Sequence, residues 1–400
     1  MKKFQLFAVG YLLSALGLFF YSYTQVDLNL TLSQWSVWQV IQTSFQHIGW
    51  FQRPLSTFYF LGLVFILFVL YFLSLRWIKK NAITNKQFWW VLLVISAILL
   101  FSYNAFSYDL FNYMFDARII TLHHLDPYGY KALDFPHDPW INFMRWTHRT
   151  YPYGAAWLGL TVPLSFAGMQ FFLPTLFLFK SLMAASFIGS VYFIGKILGK
   201  LSPRDKLFGM AFFALNPLVI IESLVSAHND IVMMFFALLG IYMLVTKKYV
   251  LALVGFLLSA YIKFINDPLP DILHQIIPVG IVLTVAGFWK LGKKRKEINW
   301  DLIFVGGVLV MTIAVILASQ RTELQPWYAL WIFPFVALLP KKKWLALPSF
   351  AISLGLLLHY VPFLYTGNWN PPIPSIKMWL TTVSIAVGIL LVKTGSFKSD

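Results

Sequence analysis

The stretch FSYDLFNYMFDARIITLHHLDPYGY, residues 106–130, sets two aspartates, an arginine, two histidines and an Asp-Pro-Tyr turn side by side between long apolar runs. A carboxylate can take the proton of an attacking hydroxyl, and a guanidinium can hold a departing phosphate as a permanently charged donor. A helix over this stretch places Asp109, Asn112, Tyr113 and Asp116 at i, i+3, i+4 and i+7 on one face. Leu110, Phe111, Met114 and Phe115 then cover the other face. The expectation is a helix lying in the membrane interface, apolar side down and polar side toward a cavity. Asp109 is the candidate base, and Arg118 a candidate phosphate ligand. Asp116 reads as the supporting acid, within reach of Arg118. The helix should end before HHLDPYGY, because Pro127 favours an extended Asp126 and Gly129 suits a turn. The plain alternative is a solvated amphipathic helix whose acids merely face water.

Three further clusters could complete such a site. THRTYPYGAAW carries Arg149, Tyr151, Tyr153 and Gly154, although tyrosines near a bilayer also serve as interfacial anchors. NPLVIIESLVSAHNDIVMMFFALLG ends one apolar run and begins another with Glu222, His228, Asn229 and Asp230 between them. Helix capping by Asn229 or Asp230 accounts for part of this cluster, but not for Glu222 or His228. Ionisable groups at membrane boundaries are costly when desolvated and tend to mark sites. ASQRTELQPWYALW supplies Arg321 as a second candidate phosphate ligand, with Trp327, Tyr328 and Trp331 as sugar platforms or belt anchors. The chain has no Gly-rich phosphate loop, HExxH, GxSxG or cysteine, so nucleotide, zinc-protease and thiol chemistry are excluded. A divalent cation held by the outer carboxylates is an open expectation, since such ions neutralise leaving phosphates.

The elements that must position these residues follow from composition. With 59% hydrophobic and only 12% charged residues in 400, and a mean hydropathy of +0.71, the chain is an all-α polytopic membrane protein. Apolar runs near 4–24, 56–75, 87–106, 175–197, 207–222, 231–246, 249–265, 272–289, 301–318, 327–340, 344–362 and 376–393 predict about 12 (11–13) transmembrane helices in one domain. The first run follows MKK without a small-residue cleavage site and is read as a retained helix. Most of the 31 basic residues fall in alternate breaks, among them Arg76 to Lys86, Lys196 to Lys206, Lys290 to Lys296 and Lys341 to Lys343. By the positive-inside rule those breaks and both termini are cytoplasmic, as in a bacterial plasma membrane. The net charge of +16 then reflects topology and anionic lipid headgroups and calls for no nucleic acid. Most acids fall on the opposite, extracytoplasmic face. This sidedness requires that 154–172, broken by Pro163 and Gly168, be re-entrant rather than crossing. The segment 107–153 is the long outer loop that carries the interfacial helices.

Asp109 with Asp126-Pro127-Tyr128, then Tyr151-Pro152-Tyr153-Gly154, His228-Asn229-Asp230, and Pro326-Trp327-Tyr328 with Trp331, resembles integral-membrane glycosyltransferases of the GT-C superfamily. The likeness is to bacterial polyprenyl-phosphate-mannose-dependent mannosyltransferases, and it covers roughly residues 100–340 in the same order. It implies a polyprenyl-phosphate-sugar donor, a glycolipid or cell-envelope glycan acceptor, an extracytoplasmic site and Asp109 as catalytic base. One departure is that many GT-C enzymes place the catalytic loop after the first helix, whereas here it follows the third apolar run. An inverting transfer fits the residues, with Arg118 and Arg321 on the phosphate and Glu222, His228, Asn229 and Asp230 shaping the donor or acceptor site. The alternatives are a transporter or lipid flippase, and a glycan ligase or polymerase. Lys180 and Lys263 read as lying near helix ends, which disfavours transport. The first 100 residues and the last helices read as scaffold or acceptor groove.

Overall fold

A computed structural model describes residues 2–263, 271–293, 297–321 and 323–394, and the side chains of all of these except 271–276 and Arg321. The described residues form helices and no strand. In an apolar solvent every backbone polar group must be satisfied within its own segment, and a helix does this for long aliphatic runs.

The chain begins with α1 (Lys2–Ser22), α2 (Ser36–Phe51), α3 (Arg53–Lys79) and α4 (Asn85–Leu100). The start of α4 is fixed by a capping box, in which Gln87 N–H donates to Thr84 Oγ1 and Thr84 N–H to Gln87 Oε1. Next come α5 (Asp109–Thr121), α6 (Ala155–Ala167), α7 (Phe172–Leu201), α8 (Lys206–Ala214) and the single turn α9 (Pro217–Ile220). The C-terminal half comprises α10 (Asp230–Val245), α11 (Tyr249–Lys263), α12 (Asp271–Lys293), α13 (Trp300–Arg321), α14 (Ala329–Ala337), α15 (Lys343–Leu358), α16 (Tyr360–Thr366) and α17 (Ile373–Lys393).

Among the described residues, six stretches are long and apolar enough to cross a membrane: Lys2–Gln25, Arg53–Lys79, Phe172–Leu201, Trp300–Gln320, Lys343–Thr366 and Ile373–Lys393. The pair Pro203–Ala214 and Pro217–Val225 passes the same test together but is bent by 60°. Five other apolar helices have only 10–17 residues, so among the described residues length and composition support fewer crossings than the expected dozen. Hydropathy also left α2 between two spans. Its Gln42 and Gln46 hold the preceding loop through the carbonyls of Leu30 and Asp27.

Two sequence expectations need correction. Helix α5 does not lie on a surface, because Leu110 to Ile119 are all buried and Phe111 packs on Phe143 and Phe172. Its apolar face meets protein instead of lipid. Pro163 sits inside α6 without ending it. The chain turns at Gly168, Met169 and Gln170, the last two in the left-handed region, and re-enters as α7.

Helix α5 packs between α6 and α7, and α10 lies against α7, α11 and α14. The 30 residues of α7 connect two ends of the molecule, about 45 Å apart at the helical rise. At one end Phe172 touches α5; at the other the 202–205 turn meets Lys341, which pairs with Asp205 at 3.0 Å.

Candidate active site

Asp109 opens α5, and its backbone N–H donates to Ser107 Oγ at 3.2 Å. The residues facing it come from a helix that changes its winding. Ile221–Val225 forms a π-helical turn after α9, with Ser226 N–H donating to Ile221 O and His228 N–H to Glu222 O. Such turns widen a helix and recur at functional sites. Ala227 then adopts φ 53°, an uncommon conformation for a residue with a Cβ, and the chain turns there into α10. Together the wide turn and the reversal bring Glu222 and His228 to bear on one point.

His228 lies between two carboxylates. Its Nδ1 is 3.4 Å from Asp109 Oδ2 and its Nε2 is 3.5 Å from Glu222 Oε2. The imidazole stacks on Trp327, ring centroids 3.9 Å apart, so its plane is fixed. Glu222 in turn accepts from the Tyr360 hydroxyl at 2.9 Å. His228 and Glu222 have no exposed side-chain surface, whereas Asp109 keeps 14%. Asp109 is thus the accessible end of a row that runs from the surface to α16.

Beside this row, Tyr113 donates to Asn229 Oδ1 at 3.3 Å and packs edge-on against Tyr153 and Trp157. Asp230 pairs with Lys263 at 2.6 Å and accepts from the Trp331 indole. Lys263 also lies over the rings of Tyr328 and Trp331. Asn229 and Asp230 therefore bond sideways between helices. Asn229 makes no side-chain cap on α10, so capping does not explain it.

Electrostatics separates the two aspartates of α5. Burial raises the Asp109 carboxyl, but the neighbouring His228 outweighs it, helped by Arg149 and Lys263, and the group stays below the ordinary carboxylate value. Burial pushes Asp116 up to about 7, with Arg149 opposing. Arg149 itself would be lowered by burial, but Tyr153, Asp109 and Asp116 raise it, so it keeps its charge. Among the described residues its Nε is buried without a hydrogen-bond partner, and its guanidinium lies 5.3 Å from the Trp146 ring centre.

Several predicted site residues lie elsewhere. Arg118 follows Asp109 by nine residues, half a turn away on the helix, and points to the other side. Its Nε donates to Asp138 at 2.7 Å, its Nη1 to Gln170 at 2.7 Å, and its plane lies over Trp140. It ties α5 to the loop, and Asp116 faces Arg149 rather than Arg118. Asp126 is exposed and accepts from the Tyr128 N–H in a turn. Tyr128 and Tyr151 pack edge-on under that turn, and Tyr128 donates to the Tyr153 carbonyl. Arg321 closes α13, and its side chain lies outside the described residues. Lys180 is not near a helix end: it is buried within α7 and donates to the Ser102 carbonyl at 2.8 Å. Among the described residues, no three His, Asp or Glu side chains come together as metal ligands.

Sequence alone did not single out Arg149, Lys263 and Tyr360 as neighbours of the candidate site. Arg149 was within a quoted motif, and only its distance from Asp109 along the chain hid it. Tyr360 carries no local signal, and its hydroxyl brings α16 into contact with Glu222.

The row sets an imidazole between two acids, with the Trp327 ring against it. Residues 8–272, well over half of the chain, match the family described as alpha-(1->6)-mannopyranosyltransferase, N-terminal domain. The chain belongs to this family. It is a GT-C glycosyltransferase and a mannosyltransferase, embedded in the membrane by its long apolar helices. The transporter alternative falls with this finding. No curated protein and no solved structure matches the chain. The family match stops at residue 272, yet Trp327, Trp331 and Tyr360 return to the candidate site from beyond it.

Proposed function

We propose that this mannosyltransferase moves mannose from a polyprenyl-phosphate donor to a hydroxyl of a glycolipid or cell-envelope glycan at the extracytoplasmic face, by single displacement with Asp109 as base. The observation that carries the reading is the position of Asp109: ionised, partly open, and backed by His228 at 3.4 Å. The acceptor hydroxyl attacks the anomeric carbon while its proton passes to Asp109, and the bond from that carbon to the phosphate oxygen breaks. His228, held by Trp327 and Glu222, fixes the carboxylate and keeps it ionised. The departing phosphate gains charge, and Arg149 is the guanidinium best placed to meet it, ahead of Arg118. Tyr153, Trp327 and Tyr328 supply ring faces and edges around the sugar. Single displacement inverts the anomeric centre, so an α-(1→6) product requires a β-linked donor.

The sidedness rests on where the charges collect. The basic breaks near 204–206 and 341–343 meet at the end of α7 remote from Asp109, and the positive-inside rule makes that end cytoplasmic. In this arrangement α6 and the start of α7 form a re-entrant hairpin that closes the site from the side.

The test is reconstitution: purified protein, a short-chain polyprenyl phosphate β-mannoside and a membrane glycolipid extract, with the product linkage determined by methylation analysis and its anomer by an α-mannosidase. An α-(1→6)-mannosylated product is expected. Mannose transferred with retention, or accepted only from a nucleotide sugar, would remove the single-displacement, lipid-donor reading.

A further inference from the structure

Both oxygens of the Asp109 carboxylate are already engaged. Oδ2 faces His228, and Oδ1 accepts a hydrogen bond from the Trp146 indole at 3.2 Å. Trp146 belongs to the loop that runs from Met144 to Thr150, and 45% of its surface is exposed, so it sits on the outer side of the carboxylate. Its neighbours hold it there. Arg145 reaches Asp27 at 3.2 Å and lies over the ring of Tyr108, the residue before Asp109. Arg149 lies against the Trp146 ring, Thr147 O accepts from Leu133 N–H, and Thr150 bridges to Lys131. The loop is thus pinned on both sides of the indole.

A base that accepts the proton of an attacking hydroxyl must first accept that hydroxyl's hydrogen bond. On Asp109 the oxygen turned away from His228 is Oδ1, and an N–H already occupies one of its acceptor positions. We propose that Trp146 is a specificity-determining residue that reserves Asp109 for the acceptor: its indole N–H covers Oδ1 until an acceptor hydroxyl replaces it, and so excludes water. This rests on Asp109 being the base. Water is the competing nucleophile. If it reached Oδ1, its oxygen would attack the anomeric carbon, its proton would pass to Asp109, and the phosphate bond would break, giving free mannose and polyprenyl phosphate. A small water gains little from displacing a charge-assisted hydrogen bond. A glycan acceptor brings enough additional contact to do so.

The experiment compares wild type, Trp146→Phe, Asp109→Asn and the double variant on the same polyprenyl phosphate β-mannoside, with and without acceptor extract. Phenylalanine keeps an aromatic ring for Arg149 and removes the N–H donor together with the second ring of the indole. The expected result is about a tenfold rise in acceptor-independent release of mannose by Trp146→Phe, the worth of one hydrogen bond to a charged group, with transfer largely retained. The rise should vanish in the double variant. A second readout needs no turnover: modification of Asp109 by a water-soluble carbodiimide, followed by mass spectrometry, should be faster in Trp146→Phe. Unchanged hydrolysis with unchanged carbodiimide reactivity overturns the proposal and leaves the base assignment standing. A raised acceptor KM without hydrolysis also overturns it and makes Trp146 a sugar platform. Full transfer by Asp109→Asn sinks the base assignment instead.

Discussion

At the scale of the residue, chemistry is divided by small differences in surroundings. Asp109 and Asp116 lie two turns apart on one helix, yet His228 holds the first ionised and burial pushes the second up to about 7. A buried carboxyl that binds its proton more tightly folded than unfolded adds stability only below its unfolded value. Between the ordinary 3.8 and about 7 that contribution is lost as pH rises. Thermal unfolding in detergent should therefore show the folded state weakening through this window, and Asp116→Asn should flatten the dependence. An unchanged slope in the variant would assign the pH response to another group. The arginines separate in the same way. Arg149→Lys keeps charge but loses the fork that grips phosphate, so turnover should fall by about tenfold or more. Arg118→Lys should mainly lower thermal stability, because Arg118 grips Asp138 and Gln170. The opposite pattern in paired turnover and melting assays would return the phosphate to Arg118. Sequence made Asp109, His228 and Glu222 legible because ionisable residues stand out among apolar ones. It did not reveal that Arg118 turns to Asp138 and Gln170, because proximity along a helix conceals which face a side chain takes.

Among the elements, the decisive one is the irregular link between α9 and α10. A regular helix through 217–245 would carry Glu222 and His228 on different faces, six residues and so about 240° apart. The π turn and the left-handed Ala227 aim both at one imidazole-centred row. Ala227→Gly should leave activity intact and change stability by no more than about 1 kcal/mol, since glycine accepts that φ freely. Ala227→Val places a β-branched residue where L side chains fit worst, and turnover should drop with it. Equal activity of both variants in the mannosyl-transfer assay would mean the backbone there is not what aims His228. The run NPLVIIESLVSAHND announced a break between two helices. It could not announce a π turn, because that winding depends on what the widened turn packs against.

For the molecule as a whole, hydropathy gave the class and one side of the problem but not the crossing count. The short helices α4, α6, α10 and α11 are apolar enough to be buried, and burial in a bundle leaves the same signature as burial in lipid. The sidedness proposed from charge is open to direct test: from Asp230 at the candidate site, α10 leads away for 16 residues, about 24 Å, to the Lys247–Lys248 turn. The chain has no cysteine, so single cysteines report cleanly. In intact cells an impermeant maleimide should label His137→Cys, exposed on the loop beside the site, and spare Lys248→Cys. Reversed labelling would place the site in the cytoplasm. The assignment of Asp109 as base is tested by mannosyl transfer from a polyprenyl phosphate β-mannoside by purified Asp109→Asn, normalised to monodisperse protein on gel filtration. Asparagine keeps the shape and the Trp146 and His228 neighbours but cannot take the acceptor's proton. The expected result is a loss of about 10²- to 10⁴-fold in turnover with folding intact. Turnover close to wild type in that variant would contradict Asp109 as the base.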